Sequence, residues 1–438
     1  MCTSQARETQ SVTRRLTVLL CAYACDPTRG SENAVGWAWS TAIAQYHDVW
    51  VIAGEQCRGP VEAELGRRPE LAEHMHFYFI RQRQLHWLER IWPPLEMLTY
   101  IHQWQRAAYR LACRLHQEVR FDLVHQVTYV GWRAPGLLWK LDVPFVWGPI
   151  GGIENTPWRL LPAMGTRGLV YYGLRNVING FQIRFSYLPR QGFRRAAALI
   201  AATSGVARCI ERSYARRANV ICEVSLPPVV AAEPSVRDPA KPLKMAWSGE
   251  HQPGKALPLL LHALARLPAE VPWELDVLGQ GPCTQAWRRV SRALGLDPQV
   301  TWHGWLPRQD ALRVVRTAHL FVITSLKDLT STVIIEALAL GVPVICPDHC
   351  GFSDVVTDEC GIKLPIDSVR HFEAELAQAI VRLASDEPER RRLAAGALER
   401  AKDFSWEKKA EAVDQIYRRV LAQRAGQPGQ IEQPAAEM

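Results

Sequence analysis

The chain has 438 residues, 48% of them hydrophobic and 22% charged. That length suggests two or three domains and that balance is globular, so disorder of the bulk is excluded, and no run of 18 uncharged apolar residues is present to span a membrane. Fifty-two basic against 44 acidic side chains leave a net charge of +8, which permits anionic partners without choosing among them.

Residues 1–14 are polar and predict a loose segment. Leu16–Tyr23 is a continuous apolar run, the pattern of a buried parallel strand. Arg14-Arg15 ahead of it and Cys25 behind it imitate a short signal peptide. The run leads at once into Gly30-Ser31-Glu32 and a helical pattern around Val35–Ile43, so it reads as a first strand. Val49–Ala53 is the next strand. Residues 85–120 predict helix, with Trp87, Trp92 and Trp104 and a Pro93-Pro94 break; the aromatics are core packing or a groove for a hydrophobic acceptor. Strands are predicted to end at Leu123–His125 and to follow at Pro144–Trp147 and Ala198–Ala201. From Ile153 to Arg217 there are eleven arginines and no lysine, against Glu154 and Glu211 alone. Trp158, Tyr171, Tyr172, Phe181, Phe185, Tyr187 and Phe193 are interleaved with them. The stretch reads either as a solvated helical face or as a surface resting on anionic lipid headgroups.

Composition shifts to Pro, Ala and charge around Pro227–Pro242, as in a linker. A second alternating series follows. Its strands are Lys244–Trp247, Trp273–Leu278, Val300–Trp302, Leu320–Ile323 and Pro343–Cys346. Its helices are Leu257–Leu267, Asp310–Thr317 and one starting near Thr330. Strands alternating with helices imply doubly wound parallel sheets. The predicted organisation is a loose segment 1–14, a first domain 15–228, a linker 229–241, a second domain 242–423 and a disordered tail 424–438. The eleven cysteines are odd in number and irregular in spacing; Cys21/Cys25 and Cys346/Cys350 lack a second pair at zinc-site spacing. They read as reduced thiols, mostly core filler.

The most informative segment is Ser325–Ile345. A strand delivers the chain to a loop that opens a helix at Thr330, Ser331 and Thr332. The N–H groups and partial positive charge of a helix N-terminus suit a diphosphate. Asp328 precedes the helix and Glu336 lies eight positions on; a carboxylate accepts two hydrogen bonds, as a ribose diol supplies. The plain alternative is a capped helix with an ordinary acid in it. Gly341-Val-Pro343 ends the helix and starts a strand. No Asp-x-Asp pair, phosphate loop or convincing dinucleotide fingerprint is present.

The acid-x7-acid pattern followed by EALALGVPVI resembles the carboxyl-terminal domain of glycosyltransferase family 4. The likeness continues in order through WSGEHQPGKALPLLLHAL (247–264), LDVLGQGP (275–282), VTWHGWLP (300–307) and AHLFVITS (318–325). GSENAVGWAW (30–39) and residues 125–152 resemble the amino-terminal domain of capsule and exopolysaccharide members. The resemblance implies the GT-B arrangement, two Rossmann-like doubly wound parallel-sheet domains facing a central cleft. It further implies a nucleotide-diphosphate sugar as co-substrate with no other cofactor, and transfer with retention. Lys255 is then the lysine that neutralises the diphosphate, after the loop glycine Gly249. Glu336 holds the ribose, and Asp328 stands where a family Glu contacts the donor sugar. Thr330, Ser331 and Thr332 offer N–H groups to the phosphates, and Gly30 and Ser31 form the first-domain loop that approaches them. His125 is a catalytic candidate or a structural histidine. Gly151 and Gly152 form an acceptor-side loop or a tight turn. The family's usual Arg after Gly249 is replaced by Glu250, and its first Glu by Asp328.

The missing Asp-x-Asp pair predicts an enzyme that needs no metal. With the resemblance, the expected acceptor is a saccharide or a lipid-linked saccharide, and the arginine-rich stretch 153–217 predicts a cytoplasmic protein peripheral on the inner face of an anionic membrane. A catalytically degenerate binding protein is the alternative that Glu250 and Asp328 keep open. A basic nucleic-acid binder is the other class, but no recognition motif supports it.

Overall fold

The computed structural model describes residues 14–81, 103–226, 238 and 241–426. The predicted loose start, the Trp87, Trp92 and Pro93-Pro94 stretch, most of the linker and nearly all of the tail lie outside them.

The first sheet has seven strands: β1 (Thr17–Ala22), β2 (Asp48–Gly54), β3 (Met75–Ile80), β4 (Leu123–Thr128), β5 (Phe145–Ile150), β6 (Ala198–Ala201) and β7 (Asn219–Val220). Their order is β3-β2-β1-β4-β5-β6-β7. Among the described residues six helices of at least nine residues accompany them: α1 (Glu32–Ala44), α2 (Arg58–Arg67), α3 (Gln105–Val119), α4 (Gly165–Phe185), α5 (Tyr187–Arg195) and α6 (Ser204–Tyr214). The second sheet has β8 (Leu243–Ser248), β9 (Trp273–Leu278), β10 (Val300–Gly304), β11 (Leu320–Val322), β12 (Val344–Pro347) and β13 (Gly361–Leu364), in the order β10-β9-β8-β11-β12-β13. Its main helices are α7 (Pro258–Leu264), α8 (Thr284–Ala293), α9 (Arg308–Arg316), α10 (Thr332–Ala339), α11 (Val369–Ser385), α12 (Glu387–Ala401) and α13 (Trp406–Arg424). Both orders reverse direction beside the first strand, as in doubly wound sheets, and a crevice for ligands forms at that switch point, outside the strands' carboxyl ends.

The predicted strands fall where the apolar runs lie. β4 and β12 are buried at every residue, as central parallel strands covered on both faces should be. Three strands carried too little signal to be predicted. β3 is only half-buried past Met75, β7 is two residues long, and β13 is short with a partly exposed middle. The helix near Thr330 begins two residues later, at Thr332. It ends in a hydrogen-bonded glycine turn: Gly341 holds φ +69°, its N–H donates to the Leu338 carbonyl at 2.9 Å, and the Val342 N–H donates to Ala337 at 3.0 Å.

The chain divides into two compact units elsewhere than at the 229–241 linker. One takes the residues up to Gln126, Leu137–Phe145 and the chain from Val413; the other takes Val127–Gly136 and Val146–Ala412. Within the first unit the returning part of α13 places Asp414 by His47 at 3.2 Å and Tyr417 by His125. The ten described cysteines are all free, six of them buried.

Helix α4 inverts the usual amphipathic arrangement. Asn176 and Asn179 are buried and bonded to the Thr156 and Ile153 carbonyls. Val170, Leu174, Val177, Ile178, Phe181 and Phe185, which recur at helical spacing along one side, are exposed. Of the seven aromatics in the arginine-rich stretch, Phe193 is in the core against Trp147 and Tyr172 is half-buried; the other five are exposed.

Candidate functional site

The switch point of the second sheet lies between β8 and β11, and the loops that leave these two strands form the site. They are stitched together by backbone and hydroxyl bonds. The Leu326 N–H donates to the Gly254 carbonyl at 2.8 Å, and the Thr324 hydroxyl donates to the Lys255 carbonyl at 2.9 Å. Trp247, the penultimate residue of β8, donates its indole N–H to the Thr324 hydroxyl at 3.1 Å. This framework holds two charged side chains against each other. Lys255 Nζ donates to Asp328 Oδ2 at 2.5 Å, and the Leu329 N–H donates to Asp328 Oδ1 at 3.1 Å. The stem of Lys255 lies over Gly249, where an added Cβ would stand 3.6 Å from Lys255 Cδ.

The neighbouring residues of the same unit close in on this loop. A Cβ on Gly151 would lie 2.6 Å from Leu329 Cδ2, so a larger residue at the 151–152 turn would have to displace the Leu329 side chain. Lys327 donates from Nζ to the Glu154 carbonyl at 3.0 Å; burial is the main cause that holds its pKa down at about 8. Glu223 is buried, accepts the Thr330 N–H at 2.8 Å, and is pushed up to about 7 by desolvation.

These two loops belong to a sequence stretch with known relatives. Residues 243–386 match the family described as Glycosyl transferases group 1. This stretch, about a third of the chain, is its group 1 domain by similarity. Among curated proteins, the D-inositol 3-phosphate glycosyltransferase of Nocardioides sp. is 31% identical over 196 residues, 41% of this chain and 42% of that protein. The protein so named from Stackebrandtia nassauensis is 30% identical over 43% of this chain and 44% of its own. The chain thus spans less than half the length of these curated relatives. Among solved structures, sucrose-phosphate synthase from Thermosynechococcus elongatus has a TM-score of 0.63 at 18% identity, over 93% of this chain and all of that one (100%). Anabaena HepE in complex with UDP has a TM-score of 0.57 at 15% identity, over 91% and 98%. Such identities establish likeness of fold: two Rossmann-like α/β sheets of the GT-B type.

In the group 1 domain Lys255, Asp328 and Gly249 come together as described. Ser331 is the N-cap residue of α10 and Thr332 its first residue. Thr330 is a correction, because its N–H is already given to Glu223. Glu336, near the middle of α10, accepts from Arg308 Nε at 2.8 Å. Glu250 is exposed.

The remaining candidates lie outside the group 1 domain. Gly30 and Ser31 are exposed in the turn before α1, where Ser31 holds φ +58°. Gly152 has φ +76° and open space beside it. His125 is also a correction. β4 does not end there but runs on to Thr128, and the ring is fully buried, shares a 2.6 Å hydrogen bond with Tyr417 Oη and meets Trp39 edge-on. A ring with no accessible surface, held by its own core, is a structural histidine.

Reading the sequence alone missed Glu223, Lys327, Arg308, Arg133 and Arg175. Lys327 had a signal, a cation adjoining Asp328 in the strand-end loop. Glu223 had none, since it meets Thr330 across 107 positions.

Proposed function

We propose that the chain is a retaining, metal-independent glycosyltransferase that moves a sugar from a nucleotide-diphosphate sugar to a saccharide or lipid-linked acceptor in cell-envelope polysaccharide synthesis. The observation that carries this reading is the Lys255–Asp328 pair at the switch point of a group 1 domain, beside the N-terminus of α10. HepE binds UDP in its crystals, which supports a nucleotide sugar as the partner here. Charge grows on the departing diphosphate as the glycosidic bond breaks. A lysine and unpaired N–H groups of a helix end stabilise that charge without a bound ion, and their orientation is set before the reaction begins. Glu336 holds the ribose by its carboxylate, and Asp328 meets the sugar. No further cofactor enters. The curated relatives are named for D-inositol 3-phosphate, so a phosphorylated polyol is the second acceptor class.

The exposed apolar side of α4, with Arg167 and Arg184 on the same helix, supports a peripheral position on an anionic cytoplasmic membrane surface. Among the described residues no helix is long and apolar enough to cross a membrane.

The full chain incubated with a panel of UDP-, GDP- and dTDP-sugars, in excess chelator, should release nucleoside diphosphate with one of them, faster when the right acceptor is present. Nucleotide-sugar binding with no release under any acceptor would establish the second reading, a binding protein. That reading is favoured by the ion pair itself, which neutralises Lys255. Failure of the whole panel to bind ends both.

A further inference from the structure

Three cations of the second unit share one corner of the site, and among the described residues no carboxylate is in ion-pair contact with them. Lys327 adjoins Asp328, and its Nζ donates to the Glu154 carbonyl at 3.0 Å. Arg175, on α4, donates from Nη2 to the Gly152 carbonyl at 3.3 Å. Arg133, in the segment after β4, gives Nε to Gln182 Oε1 at 2.5 Å and Nη2 to Asn179 Oδ1 at 2.7 Å. All four acceptors are neutral carbonyl or amide oxygens. Among the described residues none of the three cations forms an ion pair, and Arg175 Nη1 is shut from solvent with no hydrogen-bond partner. Of the two carboxylates near them, Asp328 is held by Lys255; Glu154 acts on Lys327 from beyond ion-pair distance, takes a hydrogen bond from the Thr203 hydroxyl, and has its pKa raised by burial.

This arrangement opposes itself. Arg175 and Arg133 both push the Lys327 pKa down, on top of burial, and Arg175 does the same to Arg133. Half-buried charges are ordinarily paired, because removal from water costs free energy that only a counter-charge or good hydrogen bonds offset. The three side chains keep partial access to solvent, so a soluble anion can reach them. The donors that remain, Nη1 of Arg133, Nη1 of Arg175 and the Lys327 ammonium, match the several oxygens of a phosphoryl group, to which such charge-assisted bonds are strong.

We infer that Lys327, Arg175 and Arg133 form a phosphate-binding subsite that takes a phosphoryl group of a substrate, separately from the Lys255–Asp328 pair. The inference rests on the transferase reading for what delivers the phosphate. That group is either the donor's diphosphate or a phosphate on the acceptor, and the chemistry of recognition is the same for both.

The test is isothermal titration of the full chain with pyrophosphate, UDP, D-inositol 3-phosphate and uridine. Arg175→Met and Lys327→Met should each weaken pyrophosphate and at least one of the two substrate probes about tenfold, the scale of one charge-assisted hydrogen bond, and leave uridine unchanged. Loss confined to UDP assigns the donor's diphosphate; loss confined to inositol 3-phosphate assigns the acceptor's phosphate. Arg175→Lys, which keeps the charge, should recover part of the loss. Arg133 also holds α4, so its variant is left out and melting curves confirm the fold of the other two. Pyrophosphate binding that both variants weaken, with neither substrate probe bound, keeps the subsite and ends the transferase reading. UDP binding that neither variant touches, with the other phosphate probes likewise unaffected, overturns the subsite and leaves that reading standing. No binding of any phosphate probe overturns both.

Discussion

Lys255 Nζ stands 2.5 Å from Asp328 Oδ2, and the two residues reach that contact from loops that follow neighbouring strands of one sheet. Both side chains are only about a fifth exposed, at 21% and 20%, so the pair is shielded from full solvent screening. A diphosphate arriving here competes with Asp328 for the ammonium. Lys255→Ala should therefore lower turnover more than donor affinity, by roughly 2–4 kcal/mol in the barrier, because the leaving group's charge grows in the transition state. Asp328→Asn frees the ammonium and should tighten binding of the product nucleoside diphosphate. Steady-state kinetics and titration measure the two effects; a Lys255→Ala variant with unchanged turnover removes the lysine from the mechanism.

Glu336 lies far from the bond that breaks in the proposed reaction, so its interactions are alike in ground and transition states. Glu336→Ala should raise the donor dissociation constant and leave turnover at saturation nearly unchanged. Its partner Arg308 is 55% exposed, so loss of the ion pair should cost less than about 1 kcal/mol of stability. A drop in saturated turnover equal to the drop in kcat/KM would place Glu336 at the reacting centre instead.

Glu223 links stability to pH. Its pKa in the folded protein is raised to about 7 from 4.5, chiefly by burial, so the folded state keeps a proton that the unfolded chain loses. Stability then falls as pH rises from 4.5 to 7 and levels off above it. Glu223→Gln keeps the acceptor for the Thr330 N–H and removes the titration. It should be more stable than the parent at pH 8 by roughly 1–3 kcal/mol and equal to it near pH 4.5, with Lys409 beside it reducing the difference. Urea unfolding at the two pH values decides; a constant difference between variants would show that Glu223 is ionised throughout.

Gly341 ends α10 in the left-handed region at φ +69°. An alanine there meets the Cβ penalty of that conformation, so Gly341→Ala should lower stability by about 1 kcal/mol. The loop that holds Asp328 lies at the other end of the helix, so donor affinity should stay the same. A thermal melt unchanged within error would mean the turn has rearranged.

The apolar side of α4 is available to a bilayer. The protein should sediment with anionic vesicles at low salt and release at high salt, since clustered arginines near an anionic surface are screened by ions. Replacing Val170, Val177 and Phe181 by serine should abolish the binding without unfolding, because all three are more than 60% exposed, at 63%, 61% and 65%. Equal binding to neutral vesicles, or binding that survives the substitutions, would reject this surface.

Whereas Lys255 was singled out only by resemblance to a family, the alternation of buried strands and helices, the glycine that ends α10 and the polar residues Asp328 and Ser331 before that helix were legible in the residues themselves. Each depends on neighbours within a turn or two: an apolar run long enough for a covered strand, a glycine where φ is positive, polar residues before a helix. What lay beyond reach was decided by contacts between distant segments. His125 had the same strand-end appearance as a reactive histidine, and only the return of α13, 292 positions later, puts Tyr417 on its ring and seals it in the core. Thr330 had the right place for a phosphate donor until Glu223 took its N–H. Arg133, Arg175 and Lys327 stand 42 and 152 positions apart in the chain and gather only because α4 and the loop after β11 meet. The solvent-facing side of α4 was ambiguous for the same reason. Periodicity shows that a helix has two unlike faces, and only packing decides which of them is turned inward; here buried Asn176 and Asn179 turn the apolar one out.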